Sequence, residues 1–455
     1  MSYLARCTRR RLLVRSVCVR HRSLANSRAF ALAVVVCAAA LGAPLSCGNA
    51  SHPPPLVDEG APSGATGGSA GGSGGSLFGD GAVAVPTCNL GPQGGVCACV
   101  DQPLLGDPPN LFFVLDRSGS MNEPWTGSTG DAKWTAVVKN LTQLVTALGP
   151  RANYAAAVFP DPRHANPTDC NPAGPTANCQ SCAAGIEVFP DLPGVPVLRG
   201  DAPAGTPGPV ENALFTMLNR VGAFGGTPTA ATFAALAPTI TSLPGKTYVI
   251  FATDGGPNCN ASASCAAGAC TENLEKQPGC PTQGPPNCCD PTLYPGANLN
   301  CLDEEPTRSA VTAIASKGVP VYVIGVPQSE PYSNLLDDLA TAGKTARGGT
   351  GDQYYAAGGS DPSALLAALK KIAAQITGTC ALTLDHAPPD PSLVNVFFDG
   401  SPLPQAGPDG WTLTTARGDA GTTTTVTVLG ASCQKILSGD VLDVRVVAGC
   451  PTVTQ

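Results

Sequence analysis

Leu111-Phe112-Phe113-Val114-Leu115-Asp116-Arg117-Ser118-Gly119-Ser120 decides how this chain is read. Five consecutive apolar residues suit a strand covered on both faces, as in the middle of a parallel sheet. The run ends on a carboxylate followed by two hydroxyls and a glycine, so polar chemistry starts where the strand stops. Downstream, Asp131 to Leu148 reads as a helix, with Trp134, Val137, Val138, Leu141, Leu144, Val145 and Leu148 on one face. Gly149-Pro150 ends it.

The alternation continues. Strands are expected at Tyr154 to Phe159, Tyr248 to Ala252, Val319 to Val326 and Gln353 to Ala356. Helices are expected at Pro209 to Phe224, Thr229 to Leu243, Glu305 to Lys317 (capped by Asp303), Asn334 to Thr341 and Asp361 to Gln375. Strands alternating with helices imply an α/β fold, a doubly wound and mostly parallel sheet covered on both faces. In such sheets ligands sit beyond the carboxyl ends of the strands. After Gln375 the pattern changes to Thr, Val, Gly and Pro, with alternating stretches at Val394 to Phe398, Thr422 to Leu429 and Val441 to Val447. This reads as a small C-terminal β domain without helices.

Upstream of the sheet the composition is different. Residues 1–46 hold eight of the 26 basic residues (Arg6, Arg9, Arg10, Arg11, Arg15, Arg20, Arg22 and Arg28) and no acidic one. The apolar run Ala29 to Leu41 follows. A basic flank, a short apolar core and small residues after it are the parts of a secretory signal. Leu45-Ser46-Cys47-Gly48 resembles a bacterial lipoprotein cleavage site, with Cys47 as the lipid-bearing residue. Pro44 departs from the usual Leu there, which leaves simple secretion open. Residues 47–85 then form a tether rich in Pro, Gly and Ser, which cannot bury a core. The expected layout is a signal over 1–46, the tether over 47–85, a short Cys-rich segment over 86–109, the α/β domain over 110–376 with insertions at 160–185 and 255–302, and the β domain over 377–455. Export to the cell envelope, lipid-anchored or secreted, follows from it.

Without the signal, 18 basic residues face 33 acidic ones, a net charge of −15. That argues against nucleic acid, which needs clustered Lys and Arg, and leaves the possible lipid on Cys47 as the only membrane link. Beyond Cys47 there are 16 cysteines, a density that downstream of an export signal reads as disulfides. Cys179-Gln180-Ser181-Cys182 is a lone CxxC with no finger-like partner, weak grounds for zinc.

Three loops carry hard oxygen donors: Asp116-Arg117-Ser118-Gly119-Ser120, Gly225-Gly226-Thr227-Pro228-Thr229 and Thr253-Asp254-Gly255-Gly256. Each alone is ordinary. The first is a capped turn. The second is a helix start with Thr227 as N-cap and Pro228 at N1. The third is a turn. Together, with both aspartates ending buried strands, they suit Mg²⁺, with Mn²⁺ or Ca²⁺ as alternatives.

In these residues the chain resembles the von Willebrand factor type A (vWA) family and its metal-ion-dependent adhesion site. The family pattern of Asp-x-Ser-x-Ser, a later Thr and a strand-ending Asp falls on Asp116, Ser118, Ser120, Thr227 and Asp254. The resemblance covers about residues 110–376. It implies that the serines and the threonine touch the ion, that the aspartates act directly or through water, and that one open position takes an acidic residue from a protein partner. The ligands are then expected on surface loops above a separate core, and the function is adhesion by metal-mediated protein binding, not catalysis. No phosphate or dinucleotide glycine motif appears, and of the four histidines only His164 and His386 fall in folded regions, in different parts. The alternatives are a metal-assisted hydrolase and a structural envelope protein with an unused metal site.

The family topology also bears on the cysteines. They fall into four odd-numbered groups: 88–99, 170–182, 259–301 and 380–450. The resemblance puts the second and third groups at the metal edge and the other two at the opposite edge. It therefore implies a bridge from the 170–182 loop to the 259–301 insertion, and one from the 88–99 segment to the β domain, with Cys380 as the expected partner. The long insertion after Asp254 is expected to overhang the ion and shape partner choice.

Overall fold

The computed structural model describes residues 87–90, 95–102, 104, 107–126, 129–164, 182–201, 203–263, 299, 301–359, 361–418 and 421–454. The signal, Cys47 and the tether lie outside these, as do Cys170, Cys179 and most of the insertion after Asp254.

Three short strands come first: β1 (Thr87–Asn89), β2 (Val96–Ala98) and β3 (Val100–Asp101). The long strand β4 (Asn110–Asp116) has all seven residues buried. A hairpin of β5 (Pro124–Thr126) and β6 (Thr129–Ala132) leads into α1 (Lys133–Leu148). Then follow β7 (Asn153–Phe159), β8 (Ile186–Phe189), β9 (Leu198–Arg199), α2 (Pro209–Arg220) and α3 (Thr229–Ser242). The strand β10 (Thr247–Thr253), α4 (Glu304–Ser316), β11 (Val321–Gly325), α5 (Ser333–Ala342), β12 (Tyr355–Ala356) and α6 (Ser363–Thr377) complete the α/β part.

The sheet order is β12-β11-β10-β4-β7-β8, with β9 also on β7. From β12 to β7 every pair is parallel; β8 and β9 join antiparallel. Alternate residues of a strand face opposite sides, and the core divides accordingly. Leu111, Phe113 and Leu115 pack with Val137, Leu141 and Leu144 of α1, Leu214 of α2 and Leu369 of α6. Phe112 and Val114 pack with Phe233 and Leu236 of α3, Ile314 of α4 and Leu336 of α5. Helices cover both faces, so the sheet is doubly wound.

The C-terminal part adds β13 (Ala381–Leu384), β14 (Val394–Phe398), β15 (Ser401–Leu403), β16 (Trp411–Gly418), β17 (Gly421–Val428) and β18 (Val444–Ala448) in two antiparallel sheets, β13-β17-β16 and β15-β14-β18-β3. It is not free of helix. α7 (Gly430–Ser438) packs Ile436 into the same core as Trp411 and Val426. Its C-terminus is closed by Gly439 in the left-handed region, with φ of 83°. The N-terminal segment supplies β3, whose Asp101 lies opposite Val447 of β18.

Four disulfides lie among the described residues. Cys182–Cys259 joins the loop after β7 to the insertion after β10, as the resemblance implies. The link from the N-terminal segment to the β domain is also present, but through Cys97–Cys450. Cys380 pairs with Cys433, which lies on α7, the helix missed in the sequence. Cys88–Cys99 closes the N-terminal segment on itself.

Candidate metal centre

Strand register brings the Asp116 and Asp254 loops together. In parallel pairing Leu115 lies beside Ala252, so Asp116 and Thr253 end neighbouring strands. Asp116 Oδ1 accepts from the Ser118 N–H at 2.8 Å, and Oδ2 accepts from Thr253 Oγ1 at 2.6 Å. Ser118 Oγ and Ser120 Oγ are hydrogen-bonded at 3.1 Å, and Ser120 Oγ donates to Asp254 Oδ1 at 2.9 Å. Four of the five expected residues thus form one cluster at the carboxyl edge of the sheet.

The Thr227 loop is stitched to the Asp116 loop by its backbone. Gly119 N–H donates to Gly225 O at 2.8 Å, and Phe224 N–H donates to Arg117 O at 2.7 Å. Arg117 is buried, and its guanidinium donates to Gly222 O at 2.6 Å and Pro160 O at 3.0 Å. Thr227 N–H donates to Asn258 Oδ1 at 2.7 Å, and Asn258 N–H donates back to Thr227 O at 2.9 Å. This ties the Thr227 loop to the Asp254 loop. Among the described residues no hydrogen bond joins the Thr227 hydroxyl to the other four. The helix starts at Thr229 with Pro228 as N-cap, so Thr227 precedes the cap position it was expected to hold.

Asp116, Ser118 and Asp254 are no more than 2% exposed. The carboxylates therefore belong to the top of the core, in contrast to the expected surface loops. Buried strand ends carry them there. Burial, with the negative charge of Asp254, pushes the Asp116 carboxyl up to about 7. Burial also raises Asp254, against the pull of Lys133 and the hydrogen bond from Ser120. Both carboxyls are thus held above their ordinary range, chiefly by burial. Two carboxylates and three hydroxyls are hard oxygen donors of the kind Mg²⁺, Mn²⁺ and Ca²⁺ take. Among the described residues no three His, Cys, Asp or Glu side chains converge, so the hydroxyls are essential to any such site.

Four residues here escaped the sequence reading: Lys133, Thr253, Asn258 and Arg117. Lys133 Nζ forms an ion pair with Asp254 Oδ2, and both side chains are fully buried. The signal for Lys133 was present. It falls on the same helical stripe as Val137, Leu141, Leu144 and Leu148, and a lysine on a core stripe needs a partner. Asp303, expected to cap α4, is the N-cap residue but makes no side-chain capping bond; its carboxylate accepts from Asn260 Nδ2 at 2.8 Å. His386 is exposed beside Asp385, and His164 lies in the turn Pro162–His164 after β7.

No family model and no curated protein matches the chain. Solved structures do. A pilus adhesin, SpaC from Lactobacillus rhamnosus GG in an open conformation, is 16% identical, with a TM-score of 0.40 over 79% of this chain and 40% of that one. A von Willebrand factor type A protein from Catenulispora acidiphila is 16% identical, with a TM-score of 0.35 over 79% and 59%. The manganese-loaded TRAP protein of Plasmodium vivax is 12% identical, with a TM-score of 0.31 over 64% and 85%. The match spans about two fifths of the length of SpaC. Strand order and register, not these overlaps, define the fold.

Proposed function

We propose that this chain, whose fold is vWA-like, is an extracytoplasmic adhesion module that grips a protein partner through a divalent ion. Asp116, Ser118, Ser120, Thr227 and Asp254 hold the ion, Mg²⁺ in the first instance. The observation that carries the reading is the hydrogen-bonded run Thr253–Asp116 and Ser118–Ser120–Asp254 at the carboxyl edge of a parallel sheet. The hydroxyls of Ser118, Ser120 and Thr227 would bind the ion, and the two aspartates would supply its countercharge. A bound divalent ion supplies an exchangeable position that a carboxylate of the partner fills. Arg117, Thr253 and Asn258 hold the three loops in place. Disulfides support an oxidising location, and the export signature supports delivery there, with Cys47 as the candidate lipid anchor. The module binds without turnover.

Calorimetric titration of the full chain with Mn²⁺, a common Mg²⁺ surrogate, tests the site. The wild type binds one ion, reversed by EDTA. Thr227→Ala binds at least tenfold more weakly with an unchanged melting temperature. A peptide bearing a single Glu then binds only in the presence of the ion. Equal Mn²⁺ affinity in the wild type and Thr227→Ala would overturn the assignment.

A further inference from the structure

We infer that Lys133 is the resident counter-ion of this site: a fixed positive charge that occupies Asp254 in the ion-free protein and holds down the affinity for a divalent ion. The inference rests on the metal-site reading above.

Lys133 is the first residue of α1 and is fully buried. A cation at a helix N-terminus opposes the helix dipole, and the first turn of α1 has no acidic residue to offset it. Taking an ammonium out of water is costly unless it is paired. Asp254 supplies the paired charge. Three oxygens surround Nζ: Asp254 Oδ2 in the ion pair, Gln328 Oε1 at 3.1 Å and Pro327 O at 3.4 Å. The last two accept hydrogen bonds, while Asp254 Oδ2 is held by charge.

Gln328 shows that the arrangement is built. It has a φ of 75°, in the left-handed region. Ser329 N–H donates to Val326 O at 3.2 Å, closing a turn with Pro327 second and Gln328 third. A positive φ at the third position belongs to Gly or Asn. The turn holds a strained glutamine there and delivers its amide oxygen to Lys133.

Asp254 divides its oxygens. Oδ1 accepts from Ser120, one of the expected ligands, while Oδ2 faces Lys133. An ion engaging Asp254 from the Ser120 side therefore has an ammonium across one carboxylate. Lys133 offsets part of the negative charge that the two carboxylates would present to a dication. Lys133 holds the Asp254 carboxylate in place, and the same charge repels the ion. The outcome is a preformed site that releases its ion readily.

The test uses the full chain with Lys133→Met, Lys133→Arg, Asp254→Asn and the Lys133→Met/Asp254→Asn double variant. Mn²⁺ titration reads affinity, and melting in EDTA reads the ion-free state. Lys133→Met is expected to bind Mn²⁺ at least tenfold more tightly than the wild type, and Lys133→Arg within threefold of it. In EDTA, Lys133→Met melts about 5 °C lower, and adding Asp254→Asn restores at least half of that loss. Where Lys133→Met fails to fold, Lys133→Gln replaces it. Unchanged or weaker Mn²⁺ affinity in the neutral variant overturns the inference, and so does the absence of coupling between positions 133 and 254 in EDTA. If no variant and no wild type binds Mn²⁺ while the coupling persists, the metal-site reading has failed and the affinity claim falls with it.

Discussion

Thr253 Oγ1 donates to Asp116 Oδ2 across two adjacent parallel strands, so a hydroxyl that the sequence motif ignores fixes the carboxylate that the motif begins with. Thr253→Val leaves that buried oxygen without its donor. Stability should fall by about 1–3 kcal/mol in EDTA, and less with saturating Mn²⁺, because a cation then satisfies the same carboxylate. Thr253→Ser should stay near wild type. Denaturant titration with and without the ion reads both; an equal loss in the two conditions would separate Thr253 from the site.

Gly226 touches the disulfide beside the site. A Cβ built there meets Cys259 Sγ at 2.5 Å and Asn258 Oδ1 at 3.1 Å. Gly226→Ala should push the Thr227 loop away from Asn258 and weaken Mn²⁺ binding by about tenfold, roughly 1.4 kcal/mol. Removing the disulfide with Cys182→Ser/Cys259→Ser opens space, so it should recover part of the loss in the Gly226→Ala background. Additive losses would mean that the disulfide does not brace the loop.

Ligands on surface loops above a separate core would let Asp116→Ala abolish ion binding without touching the fold. The structure revises the second half. Asp116 is fully buried and accepts two hydrogen bonds, so its removal strands the Ser118 N–H and the Thr253 hydroxyl. The variant should lose ion binding and about 1–3 kcal/mol of stability as well. Chemical denaturation in EDTA against Thr227→Ala measures the difference; equal stability of the two would refute it.

Asp443 carries the pH dependence of the C-terminal part. Burial, opposed by Arg445, lifts its carboxyl to about 6. A folded-state value above the unfolded one means that its protonated form is favoured on folding. Its stability contribution is full below about pH 4 and is lost as the pH rises through about 6. Asp443→Asn should therefore match the wild type at pH 4 and exceed it by about 1–2 kcal/mol at pH 7.5. Melting curves across that range decide it, and a variant less stable at pH 7.5 would refute it.

The α/β core was legible because burial on both faces leaves an unambiguous mark. Val114 and Phe251 sit in unbroken apolar runs, and the helix between Lys133 and Leu148 repeats every 3.6 residues. The edge strand Ile186–Phe189 escaped because it lies between two turn-rich stretches and pairs antiparallel. α7 escaped because Gly430-Ala431-Ser432 is a poor helix start by propensity; packing of Ile436 overrides it. At the site, motif spacing gave the residues that carry oxygen. It did not give their supports, because Asn258 and Lys133 act through contacts more than thirty residues away in the chain.

The Cys97–Cys450 bond has a mechanical consequence. It spans 353 residues, and the whole parallel sheet lies inside the covalent ring it closes. A pull between the two ends of the folded part runs through that bond and bypasses the ring. Roughly 1,200 Å of contour, at about 3.5 Å per residue, is withheld from tension. Strands on the direct path can peel away while the ringed sheet carries no end-to-end load, and the cluster at its carboxyl edge keeps its geometry on a stretched chain.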